Sequence, residues 1–342
     1  RPEATASVVR AYIEHKLYAK DPVWKVYSIG PMFRRERPQK GRYRQFFQIN
    51  AEVFGLHDPR ADAELILLLM TFMRRLELPG LALNINSLGC AACRPHFKEA
   101  LKSFLAGRSE QLCSDCLRRR DRNPLRIFDC KVPGCKETML DAPSILDHLC
   151  EECQSHFDTV KSALGRFHVP YEENHRLVRG LDYYTRTTFE VLAKSLGAQD
   201  AVAGGGRYDG LVKGLGGPDQ PGVGFAIGMD RLMELLAGRV QSFEKQPHVF
   251  VAALGQKAQD TAFGWVQDFR TQKIRAEMDL EDRSLKAQMR RANKIGASYV
   301  LIVGERELED GAAVLRNLET KEQEQVPLED LVRVVVSRIR AE

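Results

Sequence analysis

The sequence contains no apolar run that approaches the ~20 residues of a membrane-spanning helix, and its N-terminus has no signal-peptide pattern. No membrane partner is therefore expected. A formal net charge of only +5 excludes a generic polycation, so any contact with nucleic acid must come from local patches. Cysteine is absent outside residues 90–153. Because no secretion signal is present, a reducing, cytoplasmic location is expected, and this disfavours disulfides.

Several nucleotide-binding and catalytic patterns are also missing. The glycine-rich segments contain neither the P-loop GxxxxGK[ST] nor a GxGxxG placed between a strand and a helix. Walker-type and dinucleotide sites are therefore not supported. No Ser-His-Asp or Cys-His arrangement is apparent, so the sequence gives no sign of a protein nucleophile.

The chain is longer than one domain usually is, and its hydrophobic pattern changes along its length. Residues 1–89 and 170–240 alternate β-rich and apolar helical segments, including an antiparallel hairpin with a long tip. Residues 90–169 are helical, charged and frequently interrupted, which indicates an inserted module. After a polar linker at 239–247, the remainder to residue 342 alternates strand and helix as a compact α/β unit.

The tip of the hairpin is strongly basic. The stretch FRRERPQKGRYRQFFQ, from Phe33 to Gln48, contains six Lys and Arg among its sixteen residues. A solvated basic loop is one interpretation. The following strand favours a binding site, because alternation of side chains makes one face apolar and gives the other aromatic, amide and carboxylate groups. The apolar face carries Phe47, Ile49, Ala51 and Val53, and the polar face carries Phe46, Gln48, Asn50 and Glu52.

A polar sheet face often lies against water, but aromatic rings beside amide and carboxylate groups suit a ligand instead. A guanidinium binds phosphate, a carboxylate binds an amino group and an aromatic ring stacks on a base. Two glycine-rich stretches support this hypothesis, because glycine lets a ligand approach the main chain closely. One is GGGRY at residues 204–208. The other is a helix predicted to begin near Gly222, in which the glycines permit either close packing or phosphate approach and Arg231 lies one turn after Gly228.

The eight cysteines form four close pairs, three of them with CxxC spacing. Two such pairs can close a tetrahedral four-thiolate zinc site, so four pairs can make two sites. Buried or exposed free thiols are the alternative, and the spacing leaves the combination of pairs open. The candidate ligands are Cys90, Cys93, Cys113, Cys116, Cys130, Cys135, Cys150 and Cys153.

Five motifs, taken together, resemble the histidyl-tRNA synthetase family of class II aminoacyl-tRNA synthetases, most closely its bacterial type. FRRE followed by RYRQFFQ resembles class II motif 2, and GVGFAIGMDRL resembles motif 3. RPEAT at the start resembles the amino-acid-binding segment. LVRGLDYYTRTTFEV and AGGGRYDGL resemble the two histidine-specific signatures. The similarity covers essentially the whole chain.

The resemblance implies a fold and an activity. The expected fold is an α+β catalytic domain with an antiparallel sheet (1–89 and 170–240), an inserted cysteine-rich, mostly helical domain (90–169) and a C-terminal α/β anticodon-binding domain (247–342). The expected reaction is ATP-dependent activation of L-histidine, with Mg²⁺, to histidyl-adenylate and its transfer to the 3′ end of tRNA(His). A homodimer is expected. Motif 1, which supplies much of the family's dimer interface, would precede Arg1, so a leading segment is expected.

For ATP, the resemblance assigns roles by position. Arg34 would hold the α-phosphate and Arg231 the γ-phosphate. Glu36 would read the adenine amino group, and Phe46 would stack on the ring. Arg179 would be the histidine-specific arginine that stabilises charge at the α-phosphate, which makes it catalytic together with Arg34.

For histidine, the resemblance implies that the α-amino group is bound by Glu3, Thr5 and Gln48. The imidazole pocket would be lined by Glu52 and Tyr184, with Tyr183 and Tyr208 nearby. The loop tip would approach ATP or the tRNA acceptor end through Arg37, Gln39 and Arg42.

Other RNA contacts are open to two interpretations. Lys286, Arg290 and Lys294 fall at i, i+4 and i+8, one stripe of a predicted helix in the C-terminal unit. The run Arg118, Arg119, Arg120 and Arg122 is either a phosphate contact or a solvated helix face. Rival functions are a non-enzymatic paralogue that regulates histidine biosynthesis and a synthetase-like RNA sensor. The arginines, the amino-acid pocket and the C-terminal domain favour the enzyme.

Overall fold

The structure is a computed structural model that describes residues 1–35, 37, 39, 41–237 and 245–341. The chain divides into two compact units, residues 1–238 and 239–342, and each has a sheet of its own. Within the described residues, no helix combines the length and the apolar character that crossing a membrane requires.

A seven-stranded sheet organises the first unit, in the order β1-β2-β7-β6-β5-β3-β4. All neighbouring strands are antiparallel except β3 and β4. The strands are β1 (Trp24–Phe33), β2 (Gln45–Phe54), β3 (Leu81–Ser87), β4 (Glu172–Glu173), β5 (Thr185–Ala193), β6 (Ala201–Arg207) and β7 (Gly222–Gly228). The predicted antiparallel hairpin is β1–β2, which pairs from Trp24 with Phe54 to Phe33 with Gln45.

The prediction that a helix begins near Gly222 is wrong. Residues Gly222–Gly228 form the central strand β7, and the helix begins only at Met229. Glycine here serves close packing across the sheet: a Cβ on Gly224 would lie 1.6 Å from a carboxylate oxygen of Glu52, and one on Gly205 would lie 2.1 Å from the Gly224 carbonyl. The glycine-rich signal therefore marks tight strand contacts rather than a helical phosphate loop.

Eight α-helices belong to the described part of this unit. They are α1 (Thr5–Glu14), α2 (Pro59–Arg75), α3 (Cys93–Ala106), α4 (Ser114–Arg122), α5 (Pro133–Thr138), α6 (Glu151–Arg166), α7 (Leu211–Gly214) and α8 (Met229–Leu236). Helix α2 begins where Asp58 accepts a hydrogen bond from the Arg60 N–H and proline occupies the first turn. Its apolar side packs with α6 and α8 on one face of the sheet. The opposite face of β2 carries Gln48, Asn50 and Glu52 and, at Phe54, packs against α1 and α7.

The cysteine-rich segment has a small core of its own. Phe97, Leu101, Leu105, Ile127 and Met139 pack together there with several of the cysteines. Helix α6, which the sequence places at the end of this insertion, packs instead into the main core. The insertion is therefore anchored to the core of the seven-stranded sheet by its last helix.

The second unit is built on a five-stranded sheet in the order β12-β11-β10-β8-β9. Strands β9, β8 and β10 are parallel, and β10, β11 and β12 are antiparallel. The strands are β8 (Val249–Ala253), β9 (Ala276–Met278), β10 (Tyr299–Val303), β11 (Ala312–Asn317) and β12 (Gln323–Pro327). The helices are α9 (Gln256–Thr271), α10 (Leu285–Lys294), α11 (Glu305–Glu309) and α12 (Leu331–Ala341). The predicted α/β alternation is confirmed, while strand β12 and helix α11 were not predicted from the sequence.

Candidate active site

A cavity of about 940 Å³ opens on the polar side of the first sheet. This volume is at the upper end of the ~300–1,000 Å³ that small-molecule sites usually span. Three arginines from distant segments line it: Arg34 just after β1, Arg179 in the loop before β5, and Arg231 on α8. The polar face of the hairpin thus contributes Phe46 and Gln48 to the wall of this cavity.

The described wall of the cavity is rich in positive charge. Burial lowers the pKa of Arg231, and the nearby Arg42 and Arg34 guanidiniums lower it further. Because arginine stays protonated in proteins, these groups repel one another unless an anion lies between them. The basic lining residues are Arg34, Arg42, Arg126, Lys131, Arg176, Arg179 and Arg231, and the acidic ones are Glu3, Asp129, Glu190 and Asp230.

Arg34 is held at the mouth of the cavity by the N-terminal segment. Its Nε donates to the carbonyl oxygen of Pro2 at 2.8 Å. Its guanidinium lies over the Phe46 ring, 4.8 Å from the centroid. The ring expected to receive a base therefore lies within a few ångströms of the cation expected to hold a phosphate.

Arg179 is fixed from two sides. Its Nη1 donates to Oε1 of Glu190 on β5 at 2.6 Å, and its guanidinium lies 5.9 Å from the centre of the Tyr184 ring. A Cβ on Gly204 would come within 2.5 Å of the guanidinium. The absence of a side chain at Gly204 therefore leaves room for the Arg179 guanidinium against the sheet.

Arg231 connects the loop tip to the sheet. Its Nε donates to the carbonyl oxygen of Gly41 at 3.0 Å, and its Nη1 donates to that of Ala201. Asp230 beside it accepts from the backbone N–H of Phe47 at 2.9 Å. The first turn of α8 thus joins β2, β6 and the basic loop around the cavity.

Glu52 is the centre of a buried hydrogen-bonded group next to the cavity. It accepts from Oγ1 of Thr5 at 2.7 Å and from the hydroxyl of Tyr208 at 2.6 Å. Burial raises the pKa of Glu52 to about 7, although both hydrogen bonds oppose the rise. The carboxyl group therefore changes charge near neutral pH.

Two amides on β2 have buried polar atoms without partners among the described residues. Oε1 of Gln48 and both side-chain polar atoms of Asn50 have no hydrogen bond within this part of the chain, and Gln48 lines the cavity. Such groups are costly unless a ligand or water completes them. Glu3, also in the wall, accepts from the N–H groups of Thr5 and Ala6 and so caps helix α1.

The structure brings most of the predicted site residues together. Arg34, Arg42, Phe46, Gln48, Glu3, Tyr184, Arg179 and Arg231 all line the cavity. Thr5, Glu52, Tyr183 and Tyr208 are connected to it by hydrogen bonds and ring contacts with one another, with Glu3 and with Tyr184. Arg37 is exposed, and Gln39 pairs with Arg42 at the loop tip. Glu36 lies outside the described residues.

The sequence reasoning missed three lining residues that hold other parts of the site. Glu190 pairs with Arg179, Asp230 binds the backbone of β2, and Arg126 contacts the loop that carries Arg179. Asp230 lies beside a residue already singled out, so the motif offered a signal for it. Glu190 lies in the same quoted signature as Arg179, so that motif also offered a signal, whereas Arg126 carries none because its partner is distant in the chain.

The cysteines form two four-thiol groups, which decides the combination that the spacing left open. Within each group all Sγ atoms lie within 4.8 Å of one another. Cysteine group I is Cys90, Cys93, Cys150 and Cys153, and cysteine group II is Cys113, Cys116, Cys130 and Cys135.

The geometry of both groups fits a tetrahedral metal. A Zn–S distance of ~2.3 Å gives S···S edges of about 3.8 Å. Three Sγ pairs compare well: Cys90 with Cys93 at 3.6 Å, Cys90 with Cys150 at 3.9 Å and Cys113 with Cys130 at 3.9 Å. Backbone N–H groups also donate to Sγ in each group.

Comparison with known proteins gives the same family along both units. A family model described as histidyl-tRNA synthetase matches residues 1–232, and one described as anticodon binding domain matches residues 248–338. A histidine--tRNA ligase of Desulfatibacillum aliphaticivorans is 59% identical over 339 residues, covering 99% of this chain and 81% of that protein. One of Desulfosudis oleivorans is 57% identical over 338 residues, covering 98% and 80%.

A solved structure agrees with the sequence relatives. The crystal structure of apo histidyl-tRNA synthetase from S. aureus superposes with a TM-score of 0.79 at 35% identity. The match covers 98% of this chain and 83% of that one.

Proposed function

Because the chain belongs to the histidyl-tRNA synthetase family, we propose that its cavity holds ATP and histidine together, with three arginines directed at the triphosphate. The enzyme is a ligase that charges tRNA with histidine, and its family uses ATP and Mg²⁺. The observation that carries the proposal is the shared cavity of Arg34, Arg179 and Arg231.

The first step needs positioned cations rather than a protein nucleophile. The carboxylate of histidine attacks the α-phosphorus of ATP, the bond to the β-phosphate oxygen breaks, and pyrophosphate leaves. Arg34 and Arg179 stabilise the negative charge that develops on the α-phosphate, and Arg231 holds the γ-phosphate. Phe46 stacks on adenine, and Glu36 reads its amino group.

Histidine lies on the far side of the α-phosphate. The unpartnered Oε1 of Gln48, with Glu3 and Thr5, accepts the α-ammonium group. Glu52 and Tyr184, supported by Tyr183 and Tyr208, accept the imidazole. A ligand in this place supplies a hydrogen-bond partner for the buried Oε1 of Gln48, which has none among the described residues.

tRNA contacts both units. Arg37 and Gln39 at the loop tip approach the acceptor end. The exposed stripe Lys286, Arg290 and Lys294 on α10 contacts RNA phosphates near the anticodon. The enzyme works in the cytoplasm as a homodimer.

Each cysteine group holds a structural zinc ion in this proposal. The reaction itself uses no thiol, and an all-cysteine site with four ligands leaves no open position for substrate. Zinc there would fix the fold of the insertion around its small core.

Histidine-dependent ATP–pyrophosphate exchange tests the site. Arg179→Ala is expected to abolish exchange, because it removes charge stabilisation at the α-phosphate, while circular dichroism and thermal unfolding stay close to those of the unmodified enzyme. Arg118→Ala, which changes an exposed arginine of the insertion, is the matched control. Near-normal exchange by Arg179→Ala would remove this residue from its role.

A further inference from the structure

The segment that carries Arg179 has no regular structure of its own. Residues 174–184 lie between β4 and β5 and include Tyr183 and Tyr184 of the histidine pocket. Outside a sheet or helix, backbone carbonyls must find other partners. Two carbonyls of this active-site segment (residues 179–184) accept hydrogen bonds from arginines of the cysteine-rich insertion.

Arg126 holds the first half of the active-site segment. Its Nη2 donates to the carbonyl oxygen of Gly180 at 2.5 Å, directly after Arg179. Its Nε donates to Oδ1 of Asp182 at 3.3 Å, and Nδ2 of Asn123 donates to the same oxygen at 3.0 Å. Arg126 also lines the cavity, so it forms a wall of the site whose loop it restrains.

Arg94 holds the second half. Its Nη2 donates to the carbonyl oxygen of Tyr184, and its Nε donates to that of Leu88 at 3.3 Å. The guanidinium therefore bridges the end of the active-site segment and the end of β3. Planar guanidinium groups suit this purpose because they direct several donors in fixed directions.

Both arginines lie on elements that contain or adjoin members of the cysteine groups. Arg94 follows Cys93 of cysteine group I in helix α3. Arg126 lies in the short 3₁₀ helix Pro124–Ile127, between Cys116 and Cys130 of cysteine group II. Each group is thus connected to one half of the active-site segment by one side chain.

We propose that Arg94 and Arg126 are positioning residues through which the cysteine-rich insertion sets the geometry of the active-site segment. Arg126 acts on Arg179 and therefore on the transition state. Arg94 acts on Tyr184 and therefore on histidine binding. The inference rests on the proposed roles of Arg179 and Tyr184.

The two arginines are expected to give different kinetic signatures. Arg126→Ala is expected to lower kcat for ATP–pyrophosphate exchange by about 10- to 100-fold, because small displacements of a positioned group have effects of that size. The KM for histidine should change little. Arg94→Ala is expected to raise the KM for histidine by about 10-fold, with a smaller effect on kcat, because it loosens a binding contact.

A double-mutant comparison separates positioning from a general structural role. If Arg126 acts through its contact with the active-site segment, then adding Asp182→Ala to Arg126→Ala should cause little further loss of kcat, because both changes remove the same contact. Arg126→Lys retains a cationic donor toward Gly180 and should recover much of the kcat. Arg118→Ala is again the control. The unfolding temperature of every variant is measured, and kinetic constants are compared at a temperature at which all variants are folded.

Asp182→Ala tests the same contact from the active-site segment. The Asp182 carboxylate is exposed, so Asp182→Ala should leave the protein folded even if Arg126→Ala unfolds it. The kcat of Asp182→Ala should fall, as is expected for Arg126→Ala. Unchanged kcat in both Arg126→Ala and Asp182→Ala, while Arg179→Ala is inactive, overturns the inference but leaves the proposed function intact. Near-normal exchange by Arg179→Ala removes the premise about Arg179 but leaves the ligase activity intact, whereas absence of histidine-dependent exchange by the unmodified enzyme overturns the proposed function itself.

Discussion

At the scale of single residues, the charge state of the site is set by burial. Glu52 lies on the sheet face that alternation predicts to be polar, yet it is 1% exposed. Its pKa is raised above the ordinary 4.5 to about 7, so the folded protein holds this proton more tightly than the unfolded chain. The resulting stabilisation is complete below pH 4.5 and is lost as the pH rises through about 7.

The ionisation of Glu52 should appear in histidine binding. An ionised carboxylate accepts a hydrogen bond from the N–H of a neutral imidazole better than a protonated carboxyl group does, so affinity should rise as the pH increases from 6 to 8. Histidine itself titrates in this range with a pKa of ~6.5, so the comparison is with Glu52→Gln at each pH. The affinity ratio of the unmodified enzyme to the variant, from calorimetry, should increase with pH. A constant ratio would show that Glu52 binds without a change of charge.

At the scale of elements, the pairing of the cysteines depends on helices far apart in the chain. Group I joins the start of α3 to the start of α6, and group II joins the start of α4 to the region of α5. Metal binding at such junctions contributes directly to folding, because the ligands are not assembled in the unfolded chain.

Metal analysis of cysteine variants tests this pairing. Protein purified without added zinc should contain two equivalents. Cys93→Ser and Cys135→Ser should each lose one, and their combination should lose both, with a lower unfolding temperature in each case. Arg118→Ala should retain two. Less than one equivalent in the unmodified protein, or loss of both ions from a single variant, would contradict two independent sites.

At the scale of the whole molecule, the first unit carries the residues proposed to activate histidine, and the second unit carries those proposed to contact RNA near the anticodon. Charge does not identify the second unit as an RNA binder, since residues 247–342 contain 15 Lys and Arg against 16 Asp and Glu. The stripe proposed to contact RNA, Lys286, Arg290 and Lys294, is exposed along α10, whose other side packs through Leu285, Met289 and Ala292.

Replacing all three stripe residues by alanine should separate the two steps of the reaction. ATP–pyrophosphate exchange should be unchanged, while the KM for tRNA in aminoacylation should rise and its dependence on log[salt] should become shallower by about one per lost phosphate contact. The control removes equal charge elsewhere in the unit, with Lys257, Arg306 and Arg333 changed to alanine. Equal effects of both triple variants would leave the stripe without a specific role.

The sequence alone determined the family, the hairpin, the α/β alternation of the second unit and most residues of the site. These properties are local: residue types in a motif and their alternation along a strand do not depend on distant contacts. It erred at Gly222–Gly228, which is the central strand β7: pairing with β2 and β6 makes it a strand, and Glu52 leaves no room for a Cβ at Gly224. The tertiary structure alone decided which cysteines combine, that Glu190 pairs with Arg179, and that Arg94 and Arg126 reach the active-site segment. Each of those contacts joins residues whose separation in the chain carries no pattern, so only packing brings them together.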